Sequence, residues 1–331
     1  DCLCAFMALY WTIKDNNKTP FGYDMTTAYI THTYCDRHNM GDDHPESPQR
    51  LGAIQNRLIT GQLMDFLRRL EATPATREQL IATHDQAYVD SIFARAPEEG
   101  HLEIEPETLM MPHTLDAALF AAGSVVQAVD LVMTGEMDNA FCAIRPPGHH
   151  AEYDKAMGFC FFNNIAVGAR HAVRHHGLER VAIVDFDVHH GNGTEDIFKD
   201  DPNVLYASSY QHPFYPYSDP GASHDNILHM PLEAGSGSDT FQAVITEQLL
   251  PALEAFKPQL IMISAGFDAH KEDPMGQLRL SESDFTWITD RLMDVAEQHC
   301  EGKVVSVLEG GYNIDALGRA AFCHIKSLMK L

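Results

Sequence analysis

Apolar residues along this chain fall into two kinds of pattern. Between residues 47 and 61 they recur at Leu51, Ile54, Leu58 and Ile59, spacings of three and four that gather on one helical face. Residues 114–134 are rich in Ala, Val and Leu without proline and predict a second helix with Thr114 as its N-cap. Further helices are predicted over 163–176, 241–256 and 284–298. Between them stand short, nearly continuous apolar runs at 140–144, 181–187, 204–208, 260–264 and 304–308. Runs this short and β-branched suit strands buried on both faces, that is, parallel strands covered by helices. Alternation of the two patterns predicts a three-layer α/β fold with a mostly parallel central sheet.

No linker, repeat or low-complexity tract interrupts the alternation, so residues 25–331 read as a single domain. Residues 1–24 read differently. Cys2 to Trp11 is a short apolar run with no basic flank, opening without a methionine. It makes a poor signal peptide and is too short to span a bilayer. These residues are expected to be an N-terminal extension or leader, with Met25 as the natural start. No run of 18 or more apolar residues occurs, so no membrane span is expected.

Charge changes the picture of partners. Lys and Arg number 23 against 47 Asp and Glu, a net charge of −24. Such a field repels nucleic-acid phosphates and welcomes cationic partners such as lysine peptides or polyamines. The seven cysteines are irregularly spaced, unlike a disulfide framework, and point to a reducing, cytoplasmic compartment.

Polar clusters follow the apolar runs: Arg145-Pro-Pro-Gly-His-His150, Asp185-Phe-Asp-Val-His-His-Gly-Asn-Gly-Thr194, Ala265-Gly-Phe-Asp268 and Glu309-Gly-Gly-Tyr312. In open α/β sheets ligands gather beyond the carboxyl ends of the strands, so four clusters are expected on one rim. Within Asp185-x-Asp187-x-His189, side chains two apart on a strand share a side. Two carboxylates and an imidazole projected together call for a cation, and their donors suit zinc, with Asp268 as a third ligand. A lone strand-end Asp is more often a cap, but the whole stretch is not explained by capping. His149 and His150 follow a buried strand on a tight loop and are candidate proton carriers. His175 and His176, at a helix end beside Arg174 and Gly177, read instead as a solvent-exposed pair. Tyr312, after two glycines, is a candidate donor to a developing oxyanion.

These stretches, with His44-Pro-Glu-Ser-Pro-Gln-Arg50 and Gly158-Phe-Cys-Phe-Phe-Asn163, together resemble the zinc-dependent histone deacetylase family, particularly its class II branch and the bacterial deacetylase-like amidohydrolases. Six stretches occur in family order from about Thr31 to the C-terminus. The resemblance implies the arginase–deacetylase fold. It implies one catalytic Zn2+ on Asp187, His189 and Asp268, with His150 as general base and acid. It also implies that His149 tunes the electrostatics with Asp185 as partner, and that Tyr312 holds the oxyanion. A structural K+ is implied near the zinc, through Asp185 and the carbonyls of Asp185, Asp187, His189, Ser208 and Ser209. Phe159 and Tyr215 match the walls of an acyl-lysine channel, whose mouth is expected from residues 36–48 and 211–223. Asn192 stands where class I members have Asp. Met275 stands where polyamine-selective relatives carry an acidic gatekeeper.

The expected activity is removal of acetyl or other acyl groups from lysine side chains or related amines. Two alternatives stand beside it: an acetylpolyamine amidohydrolase, and a catalytically weak module that binds acyl-lysine. The oligomeric state is left open, a homo-oligomer included.

Overall fold

Eight strands form one sheet in the order β2-β1-β5-β10-β9-β6-β7-β8: β1 (Thr27–Thr31), β2 (Arg68–Glu71), β5 (Asn139–Cys142), β6 (Val181–Asp185), β7 (Val204–Gln211), β8 (Ile227–Leu232), β9 (Leu260–Ala265) and β10 (Val304–Leu308). All seven pairings are parallel. A separate antiparallel hairpin joins β3 (Leu102–Glu105) to β4 (Thr108–Met110). The computed structural model describes residues 25–221 and 224–331, and the expected N-terminal extension lies outside them.

The five strands read from apolar runs, β5, β10, β9, β6 and β7, are contiguous at the centre of the sheet. Every residue of these five strands is buried. Fully burying each Val, Leu or Ile there contributes about 1.5–3 kcal/mol, which is why such runs become interior strands.

Helices cover both faces: α1 (Thr33–Arg37), α2 (Gln49–Thr60), α3 (Arg77–Ile81), α4 (Gln86–Arg95), α5 (Thr114–Met133), α6 (Asn164–His176), α7 (Asn192–Phe198), α8 (Ser238–Val244), α9 (Leu250–Phe256), α10 (Glu282–Cys300) and α11 (Ile314–Leu328). Their sides follow from alternation along β9. Met262 meets α6 at Gly168, whereas its neighbour Ile263 lies in register with Ser306, which bonds His324 of α11. Adjacent strand residues point oppositely, so α6 and α11 lie on opposite faces. This three-layer arrangement is the arginase–deacetylase fold.

Local details depart from expectation. Thr114 is the first helical residue of α5 and not its cap. The N-cap is His113, at φ 71°, and the Thr114 hydroxyl accepts from the Met111 N–H. The helix predicted over 241–256 begins at Ser238 and contains a π-turn at Ile245–Leu249, ahead of Pro251, which has no N–H to donate. By length and apolar composition α5 passes for a membrane span, at mean hydropathy 1.6. Yet 61% of that window is buried inside the fold, as in a core helix.

Candidate metal centre and active site

Because β5, β10, β9 and β6 are neighbours in the sheet, the four polar clusters that follow them meet at one rim. Asp185 is the last residue of β6; Asp187 and His189 lie beyond it, so alternation along a strand does not set their directions. A series of side-chain turns does. The Asp187 N–H donates to Asp185 Oδ1 (3.1 Å), and the His189 N–H donates to Asp187 Oδ1 (2.9 Å). Asp268, arriving from β9, accepts the Val188 N–H at 2.8 Å, and Asp187 Oδ2 accepts the Gly310 N–H at 2.8 Å. His189 Nδ1 then stands 3.0 Å from Asp187 Oδ1 and 3.2 Å from Asp268 Oδ2.

One ligand atom from each of Asp187, His189 and Asp268 lies within 4.8 Å of the others, and all three residues are buried. Asp268 Oδ2 is buried, and apart from its close approach to His189 Nδ1 it accepts no aligned hydrogen bond among the described residues. Burial and the neighbouring Asp187 charge push the Asp268 carboxyl up to about 7. Burial opposes a charged His189, but the two carboxylates outweigh it and push the imidazole up to about 10. Two glycines keep the space open: a Cβ on Gly266 would overlap the Asp187 carboxylate, and one on Gly310 would overlap both carboxylates. Two crowded oxygen donors, one imidazole and an under-bonded carboxylate oxygen fit a divalent cation such as zinc.

The adjacent histidines differ in their supports. His149 Nδ1 lies 2.9 Å from Asp185 Oδ2, which also accepts from the Tyr206 hydroxyl at 2.9 Å. Burial disfavours its charged form, but Asp185, Asp187 and Glu309 prevail and push it up to about 10. His150 Nδ1 lies 2.8 Å from Asn192 Oδ1. The Asn192 amide group donates to Glu152 at 2.6 Å, so its oxygen faces His150. That orientation makes Nδ1 a donor and leaves Nε2 as an acceptor. Burial, with the charges of His149 and His189, holds His150 well below the usual imidazole range. One ring is held cationic and the other neutral.

Tyr312 is kept a phenol. Burial, then the Asp268 charge, raises its proton affinity well above the ordinary range. Its backbone N–H donates to Asp273 Oδ2 at 2.7 Å, and the Arg50 guanidinium lies 5.0 Å from its ring centre. His150, His189, Tyr312, Phe159, Tyr215 and Met275 all line one cavity of about 650 Å³. The Phe159 ring stands edge-on to Tyr312 at 6.1 Å, and Tyr215 edge-on to His150 at 5.2 Å.

The mouth departs from expectation. Residues 211–221 contribute Phe214, Tyr215 and Tyr217, but residues 36–48 do not line the cavity; that side is built by Glu105, Pro106 and Glu107 of the β3–β4 hairpin. His44 stands behind the lining, its ring 4.7 Å from that of Phe159 and its Nε2 3.3 Å from the Glu107 carbonyl. For the implied K+, Asp185 and Ser208 are register partners on β6 and β7, and the Ser209 hydroxyl reaches the Asp185 carbonyl at 3.5 Å.

Several contributors went unread in sequence. Glu309 accepts the N–H groups of Gly148 (2.7 Å) and His149 (3.1 Å), fixing the two-histidine loop. Its signal was present, inside the Glu309-Gly-Gly-Tyr312 cluster. Tyr206 and Asp273 had no local signal, since their partners lie 21 and 39 positions away. The His175–His176 pair is a correction: His175 is exposed, but His176 is half-buried and bonds Asp130.

Comparison with known proteins gives the geometry its family. The histone deacetylase domain model matches residues 44–328. The chain is 38% identical to the histone deacetylase-like amidohydrolase of Pseudomonas aeruginosa, over 82% of this chain and 73% of that protein. It is 36% identical to human polyamine deacetylase HDAC10, over 92% of this chain but 48% of that longer protein. Among solved structures, the HDA15 HD domain superimposes with a TM-score of 0.87 at 33% identity, covering 92% of this chain and 88% of that one. This chain belongs to the histone deacetylase family, whose members are metal-dependent hydrolases.

Proposed function

We propose that residues 25–331 form a single zinc-dependent deacetylase domain that hydrolyses the amide of acetylated, or otherwise acylated, lysine side chains. The observation that carries this reading is the buried Asp268 Oδ2, without an aligned hydrogen bond, beside Asp187 and His189, of which His189 lines the same cavity as His150 and Tyr312.

Asp187, His189 and Asp268 would hold the ion. When bound, it supplies Lewis-acid polarisation of the amide carbonyl and acidifies water. His150 Nε2, left as an acceptor by Asn192, takes the proton of the attacking water and delivers it to the departing amine. Charged His149 stabilises negative charge in the reacting region and discourages a second proton on His150. Tyr312 donates its O–H to the oxygen that becomes negative. Phe159 and Tyr215 flank an acyl-lysine stem and exclude water from it. Asp185, Asp187, His189, Ser208 and Ser209 would hold a structural K+. Tyr312 and the full ligand set argue for turnover over passive acyl-lysine binding. Five free cysteines among the described residues, four of them buried, support a reducing, cytoplasmic setting.

The hairpin carboxylates favour a second reading. Glu105 and Glu107 outnumber Lys155 on the cavity lining and suit a cationic tail, as in an acetylpolyamine, whereas Met275 contributes no charge. A turnover panel of acetyl-lysine peptide, longer acyl-lysines, acetylspermidine and acetylputrescine, with and without a chelator, tests both. Chelator-sensitive acetyl-lysine hydrolysis is expected. Hydrolysis of acetylpolyamines alone would replace the first reading with the second, and no hydrolysis at all would sink both.

A further inference from the structure

A second group of metal-type donors stands apart from the cavity, where α5 and α6 lie side by side. His171 and His175 are four apart on α6 and share a face; their rings stack with centres 4.8 Å apart and planes 13° apart. His176 ends the helix before Gly177, which turns the chain at φ 67°. Asp130 reaches across from α5. His171 Nε2 and His176 Nε2 each lie 2.7 Å from the same oxygen, Asp130 Oδ1. The four residues offer one donor atom each within 4.8 Å of one another.

The two imidazole nitrogens converge on one carboxylate oxygen, so ring and carboxylate donors face one another at hydrogen-bond distance. Three imidazoles and one carboxylate are the donor set of a tetrahedral first-row ion of the zinc class. Bonds of about 2.0–2.1 Å separate tetrahedral ligand atoms by about 3.4 Å, so the two 2.7 Å contacts must open and the wider pairs, within 4.8 Å, must close. Side-chain rotation supplies this, because His175 is exposed and the Asp130 side chain is 45% exposed. On loading, a neutral ring would move its Nε2 proton to Nδ1, and a charged ring would release it to solvent. Of the neighbouring cations, Arg170 is neutralised by Asp201, while exposed Arg174, in the same groove as His171 and His175, opposes an ion that the net charge of −24 otherwise favours.

The cluster is remote from the catalytic rim. Asn164, the first residue of α6, bonds the Pro146 carbonyl beside the two-histidine loop. The 13 residues of α6 carry the chain about 20 Å away from there, at 1.5 Å each.

We propose that Asp130, His171, His175 and His176 form a second divalent-metal site that takes a Zn2+-class ion and clamps the end of α5 to the end of α6. The test compares the full-length wild type with His171→Ala/His175→Ala after dialysis against micromolar free Zn2+, read by elemental analysis. One more equivalent of zinc per chain in the wild type is expected, together with a zinc-dependent rise in Tm that the variant lacks. Deacetylase turnover should be equal in the two, since neither residue lines the cavity. Reading the difference between the two proteins keeps the result independent of how the catalytic site is loaded. His175→Ala alone, an exposed substitution, should weaken the extra equivalent at least tenfold while leaving the unligated Tm unchanged. Equal zinc content in wild type and double variant would overturn the proposal, as would an extra equivalent that persists undiminished in His175→Ala.

Discussion

Asp273 Oδ2 accepts the backbone N–H of Tyr312 at 2.7 Å, and that of Asn313 at 2.9 Å. Asp273 lies in the loop after β9 that also carries Asp268. One carboxylate thus ties the phenol-bearing segment after β10 to the loop bearing a metal ligand. We expect Asp273→Ala to lower kcat on acetyl-lysine by tenfold or more, with metal content unchanged, because three backbone donors, of Tyr312, Asn313 and Met275, lose their acceptor and Tyr312 is no longer aimed. Asp273→Asn, which keeps one acceptor oxygen, should recover part of the loss. Normal kcat in the alanine variant would show that the loop holds its shape without this carboxylate.

Removing the phenolic O–H tests the other side of the same relationship. Tyr312→Phe should lower turnover on the order of 100- to 1,000-fold, the usual effect of losing an oxyanion donor, while elemental analysis finds the metal still present. A variant within threefold of wild type would remove Tyr312 from the chemistry.

The cradle makes a sharper prediction than its ligands alone. Asp187→Ala and Asp268→Ala should each lose the catalytic metal and activity. Gly310→Ala should do the same without touching a ligand, because its Cβ would overlap both carboxylates. Full metal occupancy in purified Gly310→Ala, by elemental analysis, would mean that the carboxylates move aside freely.

A buried ion network beneath the site sets an acid-stability prediction. Burial disfavours charge on Glu46, but Arg145, His38 and Arg50 outweigh it and bring the carboxyl down to about 2 from its ordinary 4.5. The native state therefore binds fewer protons than the unfolded chain between these values. The stabilisation is whole above about 4.5 and fades as pH falls towards about 2. Glu46→Gln strands two buried guanidinium groups and should cost about 3–5 kcal/mol near neutrality. Urea unfolding at pH 7 and pH 3 checks this: the gap between wild type and variant should narrow in acid.

What the sequence revealed follows from burial. The five interior strands were legible because both faces are covered and nearly every residue is apolar. β2, Arg68-Arg-Leu-Glu71, lies at the sheet edge with three of its four residues exposed, and nothing in its composition marks a strand. β8, at the other edge, has only two of its six residues buried. Helix α11 carries local signals too: Asn313 is a side-chain N-cap, and Leu317, Ala320, Ala321, Ile325 and Leu328 keep helical spacing. The metal and histidine residues stood out because they are compact clusters after apolar runs. Asp273, Tyr206 and the hairpin carboxylates act across long sequence separations, which no local pattern records.

The β3–β4 hairpin pairs with no strand of the main sheet, yet it supplies one side of the cavity mouth. Its acidic tip stands outside the strand register of that sheet, while Thr108 of β4 accepts the Phe159 N–H at 3.1 Å and so ties the flap to the channel wall. A lineage could re-tailor what enters by editing the tip at Glu105 and Glu107, as long as Thr108 keeps its hold on the wall.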